Sequence, residues 1–262
     1  MKTGICSVTF RSLPIEDLVA LVAKAGLEAV EWGGDVHVPH GDLEAADRAR
    51  RLTLEAGLEV SSYGSYYSPI DADGNSEAFE PVLESALALG TDTIRIWAGK
   101  FGSGSASADY RSRLIDATRR AAALAGKQGV KLAFEFHVRT LMDTNESALQ
   151  LLEDINLPNV YSYWQPPYWR KDFDYRLQGL EQLGGRCSNL HVFQWGFDDS
   201  GEQSWEDSVT RLPLSAGADE WSRYMSAVPN DNGYALLEFI RNDSIVQFLQ
   251  DASELNRWVR NR

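Results

Sequence analysis

Residues 131–137, KLAFEFH, form a strand-like run that ends on a residue able to bind a metal, Glu135. Three later runs have the same property, and their terminal residues are Gln165 in VYSYWQPPY (160–168), His191 in NLHVFQW (189–195) and Glu238 in YALLEFI (234–240). Four such residues at the carboxyl ends of successive strands are what a mononuclear site at the mouth of a parallel barrel requires. The pattern therefore points to an enzyme.

The chemistry of these four side chains limits the metal. Two carboxylates, an amide oxygen and one imidazole, with no thiolate, suit Mn, Mg, Co or Zn better than copper or an iron–sulfur centre. The sequence therefore predicts one divalent metal ion as cofactor.

Length and composition predict one catalytic domain over residues 1–262, near the size of an eight-stranded α/β barrel. No apolar stretch is long enough to cross a bilayer, and no export signal is visible at the start. Cys6 and Cys187 fall on predicted strands that would not be neighbours, so we expect no disulfide and a cytoplasmic location. The net charge of −13 argues against a nucleic-acid partner.

Strand-like and helix-like segments alternate along the whole chain. Strands are predicted at Gly4–Thr9, Ala29–Trp32, Glu59–Tyr63, Thr93–Trp97, Lys131–Phe136, Val160–Trp164, Ser188–Phe193 and Tyr234–Phe239. Helices are predicted at Ile15–Ala25, Leu43–Ala56, Glu77–Leu89, Tyr110–Gln128, Ser147–Ile155, Tyr175–Leu183, Ala218–Val228 and Ser244–Val259. Eight such units without a Gly-rich dinucleotide fingerprint favour a single closed (β/α)8 TIM barrel over an open sheet. Long polar loops at Tyr66–Ser76, Lys100–Ala108 and Asp198–Ala216 follow strands, on the face where barrel active sites are built.

Several motifs in this order resemble the xylose-isomerase-like barrels, which include sugar and sugar-phosphate isomerases and epimerases and AP-endonuclease-type proteins. They are GLEAVEWGGDVHVPHGD (26–42), IRIWAG (94–99), TLMDTNES (140–147), YWQP (163–166), RLPLSAGADEW (211–221) and ALLEFI (235–240). The resemblance implies a divalent metal held by Glu135, Gln165, His191 and Glu238. Most relatives place an aspartate where this chain has Gln165. An amide oxygen can still bind a hard cation, and the alternative is a hydrogen-bonding glutamine at a site that has lost its ion.

Glu135 and Glu238 are the predicted catalytic residues. A carboxylate between large apolar neighbours is costly unless it is paired or binds a metal. The structural alternative is a buried ion pair with Arg95 or Arg139. His191 lies on an apolar strand, where a lone histidine is usually a core residue, but its three companions favour a ligand.

Further residues near predicted strand ends are candidates for substrate binding. His137 lies on the same strand face as Glu135, so we expect it either near the reacting carbons of the substrate or in contact with the metal ligands. The alternative is a structural role in capping the strand. Charged side chains near these strand ends could bind the hydroxyls, carboxylate or phosphate of a substrate, and the alternative is that they form salt bridges between loops. Tryptophans near these strand ends could line a sugar pocket, and the alternative is that they fill the space between barrel and helices. The remaining candidates are Arg211, Lys100, Arg95, Trp97, Trp32 and His40.

These residues predict proton transfer at the carbon beside a carbonyl of a keto-sugar or related hydroxy-ketone through an enediolate, hence an isomerase or epimerase. Elimination from a 3-keto-glycoside by a lyase or deglycosidase begins with the same step, and a non-catalytic sugar-binding barrel is a further alternative. Four histidines and a charge of −13 do not suit an AP endonuclease. The expected partner is a small sugar, not a nucleic acid or a membrane, and a homo-oligomer stays open.

Overall fold

Eight parallel strands close into a barrel in the computed structural model, which describes residues 1–197, 209–228 and 233–261. In chain order the strands are β1 (Lys2–Cys6), β2 (Ala29–Gly33), β3 (Glu59–Gly64), β4 (Thr93–Ile96), β5 (Lys131–Glu135), β6 (Val160–Trp164), β7 (Cys187–Val192), β8 (Gln194–Phe197), β9 (Val209–Leu212) and β10 (Tyr234–Leu237). The order around the barrel is β1-β10-β7-β6-β5-β4-β3-β2, and β8 and β9 form a separate hairpin. The predicted TIM barrel is confirmed.

Helices follow the strands and surround the barrel. They are α1 (Ile15–Lys24), α2 (Leu43–Glu55), α3 (Glu80–Leu89), α4 (Ala108–Lys127), α5 (Asn145–Ile155), α6 (Phe173–Leu183), α7 (Ala218–Ala227) and α8 (Ile245–Arg260). Several begin at a side chain that accepts a bond from the first turn, such as Asp42, Ser107 and Thr144. Within the described residues, no helix has the length and apolar character needed to cross a membrane.

Two layers of buried side chains hold the barrel and its helices together. Outward-facing residues such as Ile94, Phe134 and Trp164 join the large core under the helices. Cys6 and Tyr163 belong to a smaller cluster inside the barrel. Both cysteines are free and buried.

Two parts of the chain differ from the sequence prediction. The first strand ends at Cys6 rather than Thr9, because Ser7–Phe10 turn into a 3-10 helix at the barrel mouth. In the predicted loop Asp198–Ala216, residues 198–208 lie outside the described residues, but Val209–Leu212 is a strand that pairs antiparallel with Gln194–Phe197. Four residues are too few to show a period of two, so only the partner strand defines this element.

Candidate active site

The four predicted metal ligands come from four strands that are consecutive around the barrel, β10, β7, β6 and β5. Glu135 ends β5 and His191 lies in β7, while Gln165 and Glu238 directly follow β6 and β10. His191 Nδ1 lies 3.6 Å from Glu135 Oε1 and 3.4 Å from Glu238 Oε2. One ligand atom from each of these three residues lies within 4.8 Å of the others, and all three residues are buried.

Gln165 lies beside the same cluster of side chains. Its Nε2 donates to the Phe136 carbonyl over 2.9 Å and lies 3.4 Å from Glu135 Oε1. Its Oε1 is buried and has no hydrogen-bond partner among the described residues. The same is true of both ring nitrogens of His191 and of Glu238 Oε2. Because an unpartnered buried polar atom costs about 1–3 kcal/mol, this group of oxygen and nitrogen donors fits a divalent cation.

An ion-pair network lies beside these ligands and includes Glu31, which the sequence did not single out. Arg95 Nε donates to Glu31 Oε1 over 2.9 Å, and Arg95 Nη1 contacts Glu135 Oε2. Ser62 Oγ donates to Glu31 Oε2 over 2.9 Å. A Cβ on Gly64 would lie 2.6 Å from Glu31 Oε1 and 2.7 Å from Arg95 Nη2, so only glycine leaves room for the pair.

Arg95 is part of this ion-pair network. Its side chain is 1% exposed and pairs with two carboxylates, and its contact with a substrate stays a prediction. The alternative of a buried ion pair between Glu135 and Arg95 is confirmed. Glu135 nevertheless keeps Oε1 directed toward His191 and Gln165, so the pair does not remove it from the ligand cluster.

The network shifts the pKa values of the two predicted catalytic glutamates in opposite directions. Burial alone would raise the pKa of Glu135, but the neighbouring Arg95 guanidinium outweighs it and the pKa is lowered. Burial raises the pKa of Glu238, and the charge of Glu135 adds to this although His191 opposes it. Burial likewise opposes ionisation of Glu31, but Arg95 and His191 lower its pKa to about 2.

Aromatic and basic side chains extend the site toward the mouth. Trp97 Nε1 donates to Glu135 Oε2 over 2.8 Å. The His137 ring stacks on Trp97 with centroids 4.7 Å apart, and the Lys100 ammonium lies 5.6 Å from the Trp97 ring. The structure thus brings these three predicted residues together around Glu135.

A cavity of about 300 Å³ opens on the other side of the site. It lies between the 3-10 turn after β1 and the residues that follow β10, and Glu238 lines it together with Arg11 and Arg211. Arg211 is held there by Asp243, since Nη1 donates to Asp243 Oδ1 over 2.6 Å. Arg211 is therefore placed beside Glu238, and its contact with a substrate stays a prediction.

Two predicted substrate contacts lie elsewhere. Trp32 is fully buried and donates from Nε1 to Thr53 of α2, outside the barrel wall. Successive strand residues face opposite sides, so an inward Glu31 requires an outward Trp32, and the structure does not bring Trp32 together with the other predicted site residues. Exposed His40 bonds the Ser65 carbonyl over 2.6 Å and packs edge-on against Tyr63, and its role stays a prediction.

The other two strand-end tryptophans also divide between barrel wall and mouth. Trp164 packs against Trp221 and Tyr224 of α7, under the helices. Trp195 of the hairpin packs 5.3 Å from Phe239, next to Glu238. Tryptophans at strand ends therefore line the mouth in two of the four positions.

The fold and this ligand arrangement define a class of proteins. The model of the xylose isomerase-like TIM barrel family matches residues 19–240, and the chain belongs to that family. A curated relative, 3-dehydroshikimate dehydratase of Bacillus anthracis, is 26% identical over 167 residues, which cover 61% of this chain and 60% of the relative. The matched segment is thus less than two thirds of that enzyme's length.

Solved structures with the same fold span nearly the whole chain. A probable 3-DHS dehydratase involved in petrobactin synthesis from Bacillus anthracis superposes with a TM-score of 0.79 at 19% identity, covering 98% of this chain and 99% of that one. A D-psicose 3-epimerase gives 0.71 at 16% identity, with 98% of both chains covered. A xylose isomerase-like barrel from Mycobacterium smegmatis in complex with magnesium gives 0.75 at 13% identity, covering 98% and 96%.

Proposed function

We propose that the protein is a divalent-metal-dependent isomerase or epimerase of a keto-sugar or related hydroxy-ketone. The observation that carries the proposal is the convergence of buried Glu135, His191 and Glu238, with ligand atoms within 4.8 Å of one another. Two carboxyl groups with oppositely shifted pKa values at one site are typical of an acid–base pair. The family contains enzymes that act on small polyhydroxylated compounds, which agrees with this assignment.

Glu135, Gln165, His191 and Glu238 would hold the metal. When bound, the ion would supply an electrophile for the substrate carbonyl oxygen and stabilise the negative charge that develops there. The charges of the site suit a divalent ion, because three buried carboxyl groups, Glu31, Glu135 and Glu238, face a single guanidinium, Arg95.

The two glutamates would move the proton. Glu135 is ionised beside Arg95 and keeps Oε1 toward the ligand cluster, so it is the candidate to take the proton from the carbon beside the carbonyl onto a carboxylate oxygen. Glu238 has the raised pKa and would hold a proton for delivery to the other side of the substrate. Delivery to the same carbon gives an epimer, and delivery to the neighbouring carbon with the carbonyl shifted gives an isomer. The Trp97 N–H would orient Glu135 by holding Oε2.

A dehydratase or other lyase is the second candidate, and the 26% identity to a dehydratase favours it. In that reaction the same proton is removed and a hydroxyl group on the next carbon leaves as water, and elimination from a 3-keto-glycoside follows the same course. His137 offers a second base for this chemistry. Its Nδ1 donates to the Val138 carbonyl over 2.8 Å, since a carbonyl oxygen only accepts, and this leaves Nε2 for the substrate.

Deuterium exchange in D2O distinguishes the candidates. Protein loaded with Mn²⁺ or Mg²⁺ is incubated with D-psicose, D-tagatose, L-ribulose and 3-dehydroshikimate, and the products are followed by NMR. Deuterium in a keto-sugar together with an epimer or aldose supports the first candidate, and loss of water from 3-dehydroshikimate supports the second. His137→Gln should abolish only the second. A metal-loaded protein that binds a keto-sugar but neither exchanges deuterium into any of these compounds nor releases water from 3-dehydroshikimate would contradict both.

A further inference from the structure

Tyr66, which follows β3, has a backbone conformation that side-chain-bearing residues rarely adopt, with φ at +56°. Such strain persists only where the surrounding structure imposes it, and strained residues are concentrated at functional sites. Tyr66 is partly exposed and packs against the cluster of side chains inside the barrel. The strained turn thus directs a polar aromatic ring into the barrel mouth.

The Tyr66 ring lies on the ion-pair network of the site. The Arg95 guanidinium carbon is 4.7 Å from the centroid of the Tyr66 ring. The centroid of the Trp97 ring is 6.0 Å from the same point. Tyr66 therefore covers one face of the Arg95 guanidinium, while its hydroxyl contacts Arg11.

The Tyr66 hydroxyl is oriented by Arg11. Arg11 Nη2 donates to the hydroxyl oxygen over 3.2 Å, while its Nε donates to Asp35 Oδ2 over 2.6 Å and its Nη1 to the Val8 carbonyl over 3.1 Å. Three bonds fix this guanidinium. Because Arg11 is always a donor, the phenol oxygen accepts and its own hydrogen must find a different acceptor. None of the described residues accepts it.

The position of Arg11 shows where that hydrogen is available. Arg11 lines the 300 Å³ cavity together with Glu238, the proposed proton carrier, and the Tyr66 hydroxyl is bonded to Arg11. Burial, reinforced by Glu238 and opposed by Arg95, raises the pKa of Tyr66 to about 12. The phenol therefore keeps its proton at neutral pH and acts as a donor.

We propose that Tyr66 is a further catalytic residue, which donates a hydrogen bond to the substrate oxygen that gains negative charge as the proton leaves the adjacent carbon. The inference rests on the proposed proton abstraction. Arg11 is then a positioning residue, since it acts through Tyr66 and is itself held by Asp35. No proton is transferred by Tyr66, which contributes only the fixed dipole of its O–H group.

Tyr66→Phe tests this role because it keeps the ring over Arg95 and removes only the hydroxyl. With whichever compound the wild-type protein converts, kcat should fall by about 10²-fold while KM changes by less than about threefold, since the bond strengthens in the transition state. Arg11→Met should lower kcat by a smaller factor. Tyr161→Phe, at the opposite end of the barrel interior, is the matched control and should leave both constants unchanged.

A structural role for Tyr66 would give a different result. Unchanged kcat in Tyr66→Phe, or a higher KM at unchanged kcat, would overturn the proposal while the proposed function stands. A wild-type protein that exchanges no deuterium would instead overturn the proposed function, and this inference with it. If Tyr66→Phe melts far below the wild type, a 13C label on the tyrosine ζ-carbons gives a second measurement. The signal that Arg11→Met alters should shift when the compound that the wild-type protein converts is added, and its failure to shift would also overturn the proposal.

Discussion

The Gln165 amide serves two neighbours at once. Its NH2 group donates to the carbonyl of Phe136, the residue directly after β5, and its Oε1 is left without a hydrogen-bond partner among the described residues. An aspartate at this position would have no N–H for that carbonyl. The glutamine is therefore held by the backbone next to Glu135 and still offers an oxygen for the proposed metal.

Substituting Gln165 with Asp should change metal affinity and turnover in opposite directions. The added charge should tighten Mn²⁺ binding by about tenfold, since about 1.4 kcal/mol of extra attraction is reasonable in a partly desolvated site. Turnover should fall, because negative charge on the substrate becomes harder to form beside a more negative cluster. Isothermal titration with Mn²⁺ and the deuterium assay measure the two effects. Gln165→Leu is the control and should weaken binding, and looser binding in Gln165→Asp would show that Gln165 does not contact the metal.

The strands assign each side chain to one of two environments. β2 turns Glu31 into the barrel and Trp32 out of it, and β4 likewise turns Arg95 inward. The sequence predicts that successive side chains of a strand face opposite sides. Which of the two faces points into the barrel depends on how the strands pair in the closed barrel. A tryptophan at a strand end can therefore lie on either side of the wall, and sequence placed Trp97 and Trp32 together although only Trp97 reaches the site.

Substitutions of these two tryptophans should separate function from stability. Trp97→Phe removes the donor to Glu135 Oε2 and should lower kcat by about tenfold, the value of one hydrogen bond to a charged group. Trp32→Phe should lower the free energy of unfolding by about 1–3 kcal/mol, through lost packing and an unpaired Thr53, and leave kcat unchanged. Urea unfolding and the deuterium assay give both quantities. If Trp32→Phe is as stable as the wild type but has a much lower kcat, Trp32 does contribute to the active site.

Over the whole molecule, the sequence predicted the barrel and the four candidate ligands because regular alternation and strand-end chemistry are local signals. Glu31 and Arg95 were not paired in advance because 64 residues separate them and they meet only when β2 and β4 pair with opposite sides of β3. Tyr66 gave no sequence signal, since its position depends on a strained turn. The short hairpin strand β9 was likewise invisible without β8.

The assembled barrel should bind about one divalent ion per chain, because its four ligand-bearing strands converge at a single mouth. Mass spectrometry of reconstituted protein should find it, and added Mn²⁺ should raise the melting temperature of metal-free protein, since a ligand that binds only the folded state stabilises it. His191→Ala should lose most of the bound metal, whereas His40→Ala should keep it. Reconstituted wild-type protein without bound Mn, Co or Zn would exclude the metal mechanism.

The most direct test of the proposed proton transfer compares deuterium exchange in the wild type, Glu135→Gln and Glu238→Gln. Glutamine keeps an oxygen ligand and nearly the same volume but cannot carry the proton. Both variants should fold and retain some metal, yet exchange deuterium into the responsive compound about 10² to 10⁴ times more slowly than the wild type. Exchange at the wild-type rate in both variants would contradict the account and assign Glu135 and Glu238 a purely structural role.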